Sequence, residues 1–307
     1  MSQSEHVNAL GLKKADYAGV ASTLCTGCGH DLISNHIITA CYEENLAPWQ
    51  IAKMSGIGCS SKLPAYFLSG SFAFNSMHGR MASVATGAIV SQPKLKYIGI
   101  SGDGDTASIG LGGFLHLLRR NVPIVYIVAD NGVYGLTKGQ LSATADRVSV
   151  AKKGSSSPWD ALDICTLAIE VGCGFVARSF SGDSKQMVSL LRAALRHKGT
   201  ALLHVVSPCI TFNNHEGSTK SYTYVKAHDA TFSAVEQGDD NWDRGRALSV
   251  LREAKEQTKI LTGLFFQENL PTLLETLDLS STPLVDLRKA EMRLESVQME
   301  EIFEHFR

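Results

Sequence analysis

The sequence predicts an α/β protein of the doubly wound kind: a mostly parallel sheet covered by helices on both faces, with a helical C-terminal extension. Short apolar runs rich in β-branched residues alternate with stretches of helical periodicity. Those runs are apolar at nearly every position rather than at every second one, as strands covered on both faces require. Glycines and carboxylates gather where the runs end, and in such sheets ligands bind outside the carboxyl ends of the strands.

The expected strands are 49–55 (WQIAKMS), 96–101 (KYIGIS), 123–130 (PIVYIVAD), 173–179 (CGFVARS) and 201–206 (ALLHVV). Between them the pattern predicts helices near 31–46, 79–91, 107–119, 160–171 and 184–197. Neither an internal repeat nor a low-complexity segment interrupts this order. Composition turns polar and turn-rich after about Phe212, so residues 1–215 are expected to form the domain and 216–307 an extension. Within the extension, 244–266 reads as an amphipathic helix and 287–306 as a charged one, packing on the domain or on a partner subunit.

The chain has 307 residues, enough to bury a sizeable core, with 44% hydrophobic and 19% charged residues, an ordinary globular composition. A net charge of −1 provides neither a basic field for nucleic acid nor a polybasic membrane patch. No apolar run approaches the roughly 18 residues of a membrane span. The N-terminal stretch lacks an apolar signal-peptide core, so a cytoplasmic location is expected. Seven cysteines, an odd number, point to thiols or metal ligands rather than a disulfide framework.

Asp103 and Asp105 follow the strand at 96–101 inside GDGDTASIG. A helix cap would explain one acid, but not two acids followed by ADNGVYG. An aspartyl phosphatase needs Asp-x-Asp-x-Thr/Val; here Thr106 stands one position early and Ala107 fills the slot. A divalent metal carrying a diphosphate fits better. Mg²⁺ takes octahedral oxygen ligands, often one or two from the protein and the rest from phosphate and water. Asp103 and, after the next strand, Asn131 supply such a pair from adjacent strand ends, while Gly102 and Gly104 let backbone approach phosphate. The arrangement is similar to the thiamine-diphosphate motif, which runs from Gly-Asp-Gly through a spacer to an Asn. That resemblance implies Asp103, Asn131 and the Val133 carbonyl as Mg²⁺ ligands, with Asp105 holding the loop or the diphosphate surroundings.

Cys25 and Cys28 form a C-x₂-C in LCTGCGH, Cys59 lies in GIGCSSKLP and Cys209 in VSPCITF. Cys41, Cys165 and Cys173 sit in helix- or strand-like surroundings and read as small core residues. Four loop cysteines suit either a structural Zn²⁺ or an iron–sulfur cluster, and spacing does not separate the two. A thiamine enzyme that needs a cluster is one that oxidises its intermediate by single electrons.

CTGCGH, IGCSSK, HGRMASVATGAIVSQP, SGDGDTASIG, NGVYGLTKGQ and a PC after a strand occur here in that order. Over 23–212 the chain resembles the β subunits of 2-oxoacid:ferredoxin oxidoreductases, most closely those acting on 2-oxoglutarate. The resemblance implies a pyrophosphate-type thiamine-diphosphate domain with one 4Fe–4S cluster on Cys25, Cys28, Cys59 and Cys209. It implies cofactor contacts at Gly29, His30, Cys59, His78, Gly79, Arg80, Gly102, Asp103, Gly104, Asp105, Asn131, Val133, Gly135 and Leu136. Alone, His78 would read as a satisfied core histidine; the resemblance sets it at the diphosphate and thiazolium end. Arg80 reads equally as a diphosphate donor or a structural ion pair. Lys62 and Lys138, in loops expected to line the site, are linked to 2-oxoacid recognition, and a distal carboxylate such as that of 2-oxoglutarate would use a cation where pyruvate would not. His78, Lys62 and Lys138 are thus the candidate catalytic residues.

The implied reaction converts a 2-oxoacid, coenzyme A and oxidised ferredoxin or flavodoxin to acyl-CoA, CO₂ and the reduced carrier. No glutamate stands in a motif suited to activating thiamine; Glu43 and Glu44 lie on an expected surface helix. In the family that glutamate, and the coenzyme A site, come from an α subunit in an (αβ)₂ assembly. The alternatives are a pyruvate-specific member, a non-redox thiamine decarboxylase or synthase subunit with structural zinc, and a non-enzymatic module of the same architecture.

Overall fold

Fully apolar runs become interior strands because each of their faces meets a helical layer. The computed structural model describes residues 7–147, 149–150, 156–227, 234–235, 243–257, 259–279, 281–287 and 295–305. Its strands are β1 (Ile51–Ser55), β2 (Phe72–Asn75), β3 (Lys96–Gly102), β4 (Val125–Asp130), β5 (Val133–Tyr134), β6 (Gln140–Leu141), β7 (Phe175–Phe180), β8 (Ala201–Val206), β9 (Ala234–Val235) and β10 (Thr262–Gln267). Eight of them form one sheet in the order β2-β1-β3-β4-β8-β7-β10-β9, and β5 and β6 make a separate hairpin. From β2 to β7 all neighbours are parallel; β10 runs antiparallel to β7. The chain steps from β1 out to β2, then returns to β3 on the other side of β1. That reversal opens a crevice beyond the strand ends.

The helices that cover the sheet are α1 (Gly29–Glu43), α2 (Met81–Ser91), α3 (Leu111–Arg119), α4 (Ile164–Glu170), α5 (Ser184–Arg196) and α7 (Arg244–Glu256), with a short α6 (Tyr222–Ala227) before the last of these. Successive strand residues face opposite layers. Ile98, Ile100, Val125 and Ile127 pack with Ile33 and Ile37 of α1 and Leu191 of α5. Tyr126 and Val128 pack with Met81 of α2, Phe114 of α3 and Leu251 of α7. Truncating a filled site such as Phe114 to alanine costs about 3–5 kcal/mol.

The structure differs from the sequence expectations in three places. The helix expected over 107–119 begins as a single π-helical turn, Gly104–Ile109, and only then becomes α3. The helix expected over 244–266 stops at Glu256; the apolar run after it forms β10, which joins the sheet edge. Strand β2 was not expected: its four residues are exposed, with Phe72 at 58% and Phe74 at 56%, and it is held by backbone pairing to β1 along one side. The helix expected over 287–306 is described only as α8 (Ser296–His305), since 288–294 and 306 lie outside the described residues. No described helix is long and apolar enough to cross a membrane.

Candidate active site

Asp103 occupies the N-cap position of the π-helical turn but makes no capping bond. It lies at the end of β3, and its carboxylate turns instead toward neighbouring loops. Oδ2 accepts from the Ser142 and Thr144 hydroxyls, and Oδ1 lies 3.4 Å from the Asn131 amide. The side chain is buried, and that burial, with the charge of nearby Asp130, pushes its pKa up to about 7. A buried carboxylate beside a second one is costly unless a cation joins it. The donor set therefore fits a divalent ion.

Asp105 is a structural hub. Oδ1 accepts from the amides of Gly79 (2.7 Å) and Ile57 (3.3 Å) and from His78 Nδ1, and Oδ2 accepts from the Ser101 hydroxyl at 2.5 Å. One carboxylate so ties the loops after β1 and before α2 to the end of β3. The fit is tight: a Cβ at Gly56 would stand 1.7 Å from Asp105 Oδ2. Because His78 Nδ1 donates to a carboxylate, its Nε2 is the free ring nitrogen, and the ring meets Tyr134 edge-on at 6.1 Å. Gly79, at φ +71°, takes the left-handed turn that sets this up; a Cβ there would meet Ile109 at 2.5 Å.

Asn131 folds into a turn at the end of β4, where its Oδ1 accepts the Val133 amide at 3.0 Å. Its Nδ2 lies 3.3 Å from His30 Nε2, and the His30 Nδ1 lies 2.7 Å from the Ser207 hydroxyl. An amide nitrogen can only donate, so the His30 proton sits on Nδ1. Burial holds the His30 pKa down at about 4, which keeps the ring neutral for this role. The Asn131 side-chain oxygen retains a second lone pair. Gly102, Gly104, Gly135 and Leu136 line the crevice between these groups, with His30, Cys59 and His78.

Of the four loop cysteines, Cys59 lines the same crevice. Gly135 stands between two of them: a Cβ there would lie 3.5 Å from Cys59 Sγ and 3.7 Å from Cys209 Sγ. Burial pushes the Cys28 thiol up to about 11, with the nearby Cys209, Cys59 and Cys25 adding to the rise. Burial raises the Cys209 pKa, and the backbone N–H groups of Phe212 and Thr211 beside its sulfur offset part of that rise; the Asn213 amide donates to the Cys209 carbonyl at 3.0 Å, and the Thr211 hydroxyl lies 3.7 Å from Cys25 Sγ. All four are free thiols. Among the described residues, no three His, Cys, Asp or Glu side chains stand close enough to hold a single metal ion. Four thiols from three loops, with amides aimed at sulfur, fit a larger inorganic cluster. Cys41, Cys165 and Cys173 are fully buried in the helix–sheet layers.

Lys62, Arg80 and Lys138 are exposed and do not line the crevice; burial raises the Cys59 pKa, and the nearby Lys62 ammonium offsets only part of that rise.

The model of the thiamine pyrophosphate enzyme C-terminal TPP-binding domain matches residues 56–205. The 2-oxoacid:ferredoxin oxidoreductase subunit beta of Saccharolobus solfataricus is 34% identical over 257 residues, covering 82% of this chain and 83% of that one. The chain belongs to the 2-oxoacid:ferredoxin oxidoreductase β subunits. A 2-oxoglutarate synthase subunit KorB from Methanocaldococcus jannaschii is 35% identical over 61% of this β subunit and 69% of its own length. The solved 2-oxoglutarate:ferredoxin oxidoreductase from Magnetococcus marinus, with 2-oxoglutarate, coenzyme A and succinyl-CoA bound, superposes with a TM-score of 0.81. It is 30% identical, and the match covers 100% of both chains.

Sequence reasoning missed several groups around this β subunit's crevice. Ser142 and Thr144 bond Asp103, and Asn213 Nδ2 donates to the Asn131 carbonyl at 2.7 Å. Asp130 is held by His204 Nε2 at 2.8 Å and by the Gly132 amide at 3.0 Å. The one signal available was the run LSATAD after the hairpin, small hydroxyl residues in an otherwise apolar stretch.

Proposed function

We propose that this β subunit serves the coenzyme A-dependent oxidative decarboxylation of 2-oxoglutarate. Two electrons leave one at a time, so 2-oxoglutarate, coenzyme A and two oxidised ferredoxins (or flavodoxins) give succinyl-CoA, CO₂, a proton and two reduced carriers; the reverse direction uses the same groups. The observation that carries this reading is Gly135, which lines the crevice with Asp103 and Asn131 and stands where an added Cβ would lie 3.5 Å from Cys59 Sγ and 3.7 Å from Cys209 Sγ. Thiamine diphosphate supplies a carbon nucleophile and an electron sink, and a 4Fe–4S cluster supplies a one-electron exit.

In this reading Asp103, Asn131 and the Val133 carbonyl hold Mg²⁺, and Cys25, Cys28, Cys59 and Cys209 hold the cluster. Gly29, His30, Gly79, Gly102, Gly104, Gly135 and Leu136 shape the cofactor's walls. Asp105 keeps His78 oriented with Nε2 available to hold or pass a proton, and Cys59 borders both cofactors. Arg80, Lys62 and Lys138, exposed in this chain, face the α subunit and the substrate carboxylates. Glu43 and Glu44 are committed to Arg192 and Arg196 on the helix surface, which supports an activating glutamate, and a coenzyme A site, on the α partner in an (αβ)₂ cytoplasmic enzyme. All proposed ligands fall within residues 1–215, with 216–307 an extension packed on the sheet edge or the partner.

The test is anaerobic co-purification with the α subunit. Iron and acid-labile sulfide, four of each per β chain, and visible bleaching by 2-oxoglutarate plus coenzyme A are expected. Zinc without sulfide would overturn the cluster, and equal bleaching by pyruvate would overturn the substrate preference.

A further inference from the structure

The loop after β6 places both of its hydroxyls, Ser142 and Thr144, on one oxygen of Asp103. Ser142 Oγ donates to Oδ2, and Thr144 Oγ1 lies 2.9 Å from the same atom. The other oxygen, Oδ1, is met among the described residues by the Asn131 amide at 3.4 Å, long for such a bond.

Thr144 has one hydroxyl proton and two carboxylate neighbours, since Asp130 Oδ1 lies 2.7 Å away; its third oxygen neighbour, Ser142 Oγ at 3.0 Å, already accepts the Thr144 amide at 3.3 Å. Counting donors decides between them. Arg178 can only donate, and its Nε lies 2.9 Å from His204 Nδ1. The His204 proton is therefore on Nε2, where it reaches Asp130 Oδ2 at 2.8 Å. Asp130 Oδ1 also accepts the Gly132 amide at 3.0 Å. Asp130 is served on both oxygens without Thr144, and Arg178 is anchored in turn by Asp163 at 2.5 Å. The Thr144 proton is left for Asp103.

We propose that Ser142 and Thr144 are positioning residues that occupy Oδ2 of Asp103, so that the carboxylate meets a divalent cation through Oδ1 alone. The inference rests on the reading of Asp103 as a ligand of the magnesium that carries thiamine diphosphate. One oxygen per carboxylate suits Mg²⁺, which demands a near-ideal octahedron of short bonds; the larger Ca²⁺ accepts carboxylates through both oxygens. The two hydroxyls thus act as a selectivity device for the smaller ion.

The test titrates thiamine diphosphate calorimetrically into the co-produced αβ complex with either Mg²⁺ or Ca²⁺, comparing Ser142→Ala, Thr144→Val and Thr144→Ser with the parent. Loss of either hydroxyl should weaken Mg²⁺-supported binding about tenfold to a hundredfold, as for other groups that orient metal ligands. Ca²⁺-supported binding should hold or tighten, so the preference for Mg²⁺ falls by about tenfold or more, and Thr144→Ser should retain the parent preference. If affinities with both ions fall together, or neither moves, the hydroxyls merely pack the loop and the proposal is overturned. If the parent complex binds thiamine diphosphate equally well without a divalent cation, the magnesium reading itself fails, and this inference with it.

Discussion

His30 and His197 are both buried, and loss of water around the ring holds each at about 4 rather than the ordinary 6.5. Their settings differ. His30 has a partner on each nitrogen, whereas His197 rests against Phe175 at 5.4 Å with neither ring nitrogen hydrogen-bonded among the described residues. A histidine whose folded pKa lies below its unfolded one stabilises the fold fully above pH 6.5, and that share is lost as pH falls from 6.5 toward 4. For the 4%-exposed His197 the loss is on the order of 3 kcal/mol. Urea midpoints should therefore drop over that interval, and His197→Leu should flatten the drop without lowering stability at pH 8. A midpoint profile unchanged by the substitution would refute this account. At this scale the sequence pointed to Asp103, Asp105, Asn131 and the four cysteines because each stands in a short motif whose order along the chain is informative. It concealed Ser142, Thr144 and His204, because hydroxyls and single histidines are common and only folding selects which of them reach a buried acid.

Lys53 of β1 shows how an element can be fixed by one side chain. Its ammonium, 4% exposed, donates to the carbonyls of Pro64 (2.6 Å), Phe67 (2.7 Å) and Leu68 (3.0 Å). Those carbonyls close the segment that begins at Cys59. Burial lowers the Lys53 pKa to about 8, yet three acceptors match its three N–H groups, so it stays charged at neutral pH. Lys53→Met should strand the Pro64 and Phe67 carbonyls, while that of Leu68 keeps the Ser71 amide and hydroxyl, and cost about 2–4 kcal/mol in urea denaturation. Faster hydrogen exchange confined to residues 59–68 would accompany it; uniform protection would argue against this anchoring. The interior strands were legible because burial on two faces leaves an unbroken apolar run. Strand β10 was not, since ILTGLFF follows directly on the amphipathic α7 and its apolar residues extend that pattern. Strand β2 owes its form to backbone pairing with β1 rather than to burial, so its composition carried no sign of it.

The whole molecule brings together loops from residues 25–28, 59, 103–105, 131–136 and 209, which the sheet order alone makes neighbours. Motif order made the family readable, but not which side of the crevice would carry the remaining chemistry, because that depends on a second chain. The carboxylates lining the crevice are Asp103 and Asp105, with no glutamate among its lining residues. The β subunit purified alone should consequently show no coenzyme A-dependent dye reduction, and adding the α subunit should restore it; substantial turnover by the lone chain would contradict a shared site. The outer rim of the sheet bears on how such an experiment is prepared. Strand β2 presents Phe72 and Phe74 beside a row of peptide groups unpaired among the described residues, and Met77 just beyond it is 75% exposed. Open rims of this kind recruit further polypeptide. Orphaned chains should consequently accumulate as insoluble material during production, and synthesis of both polypeptides from one transcript would spare them that fate.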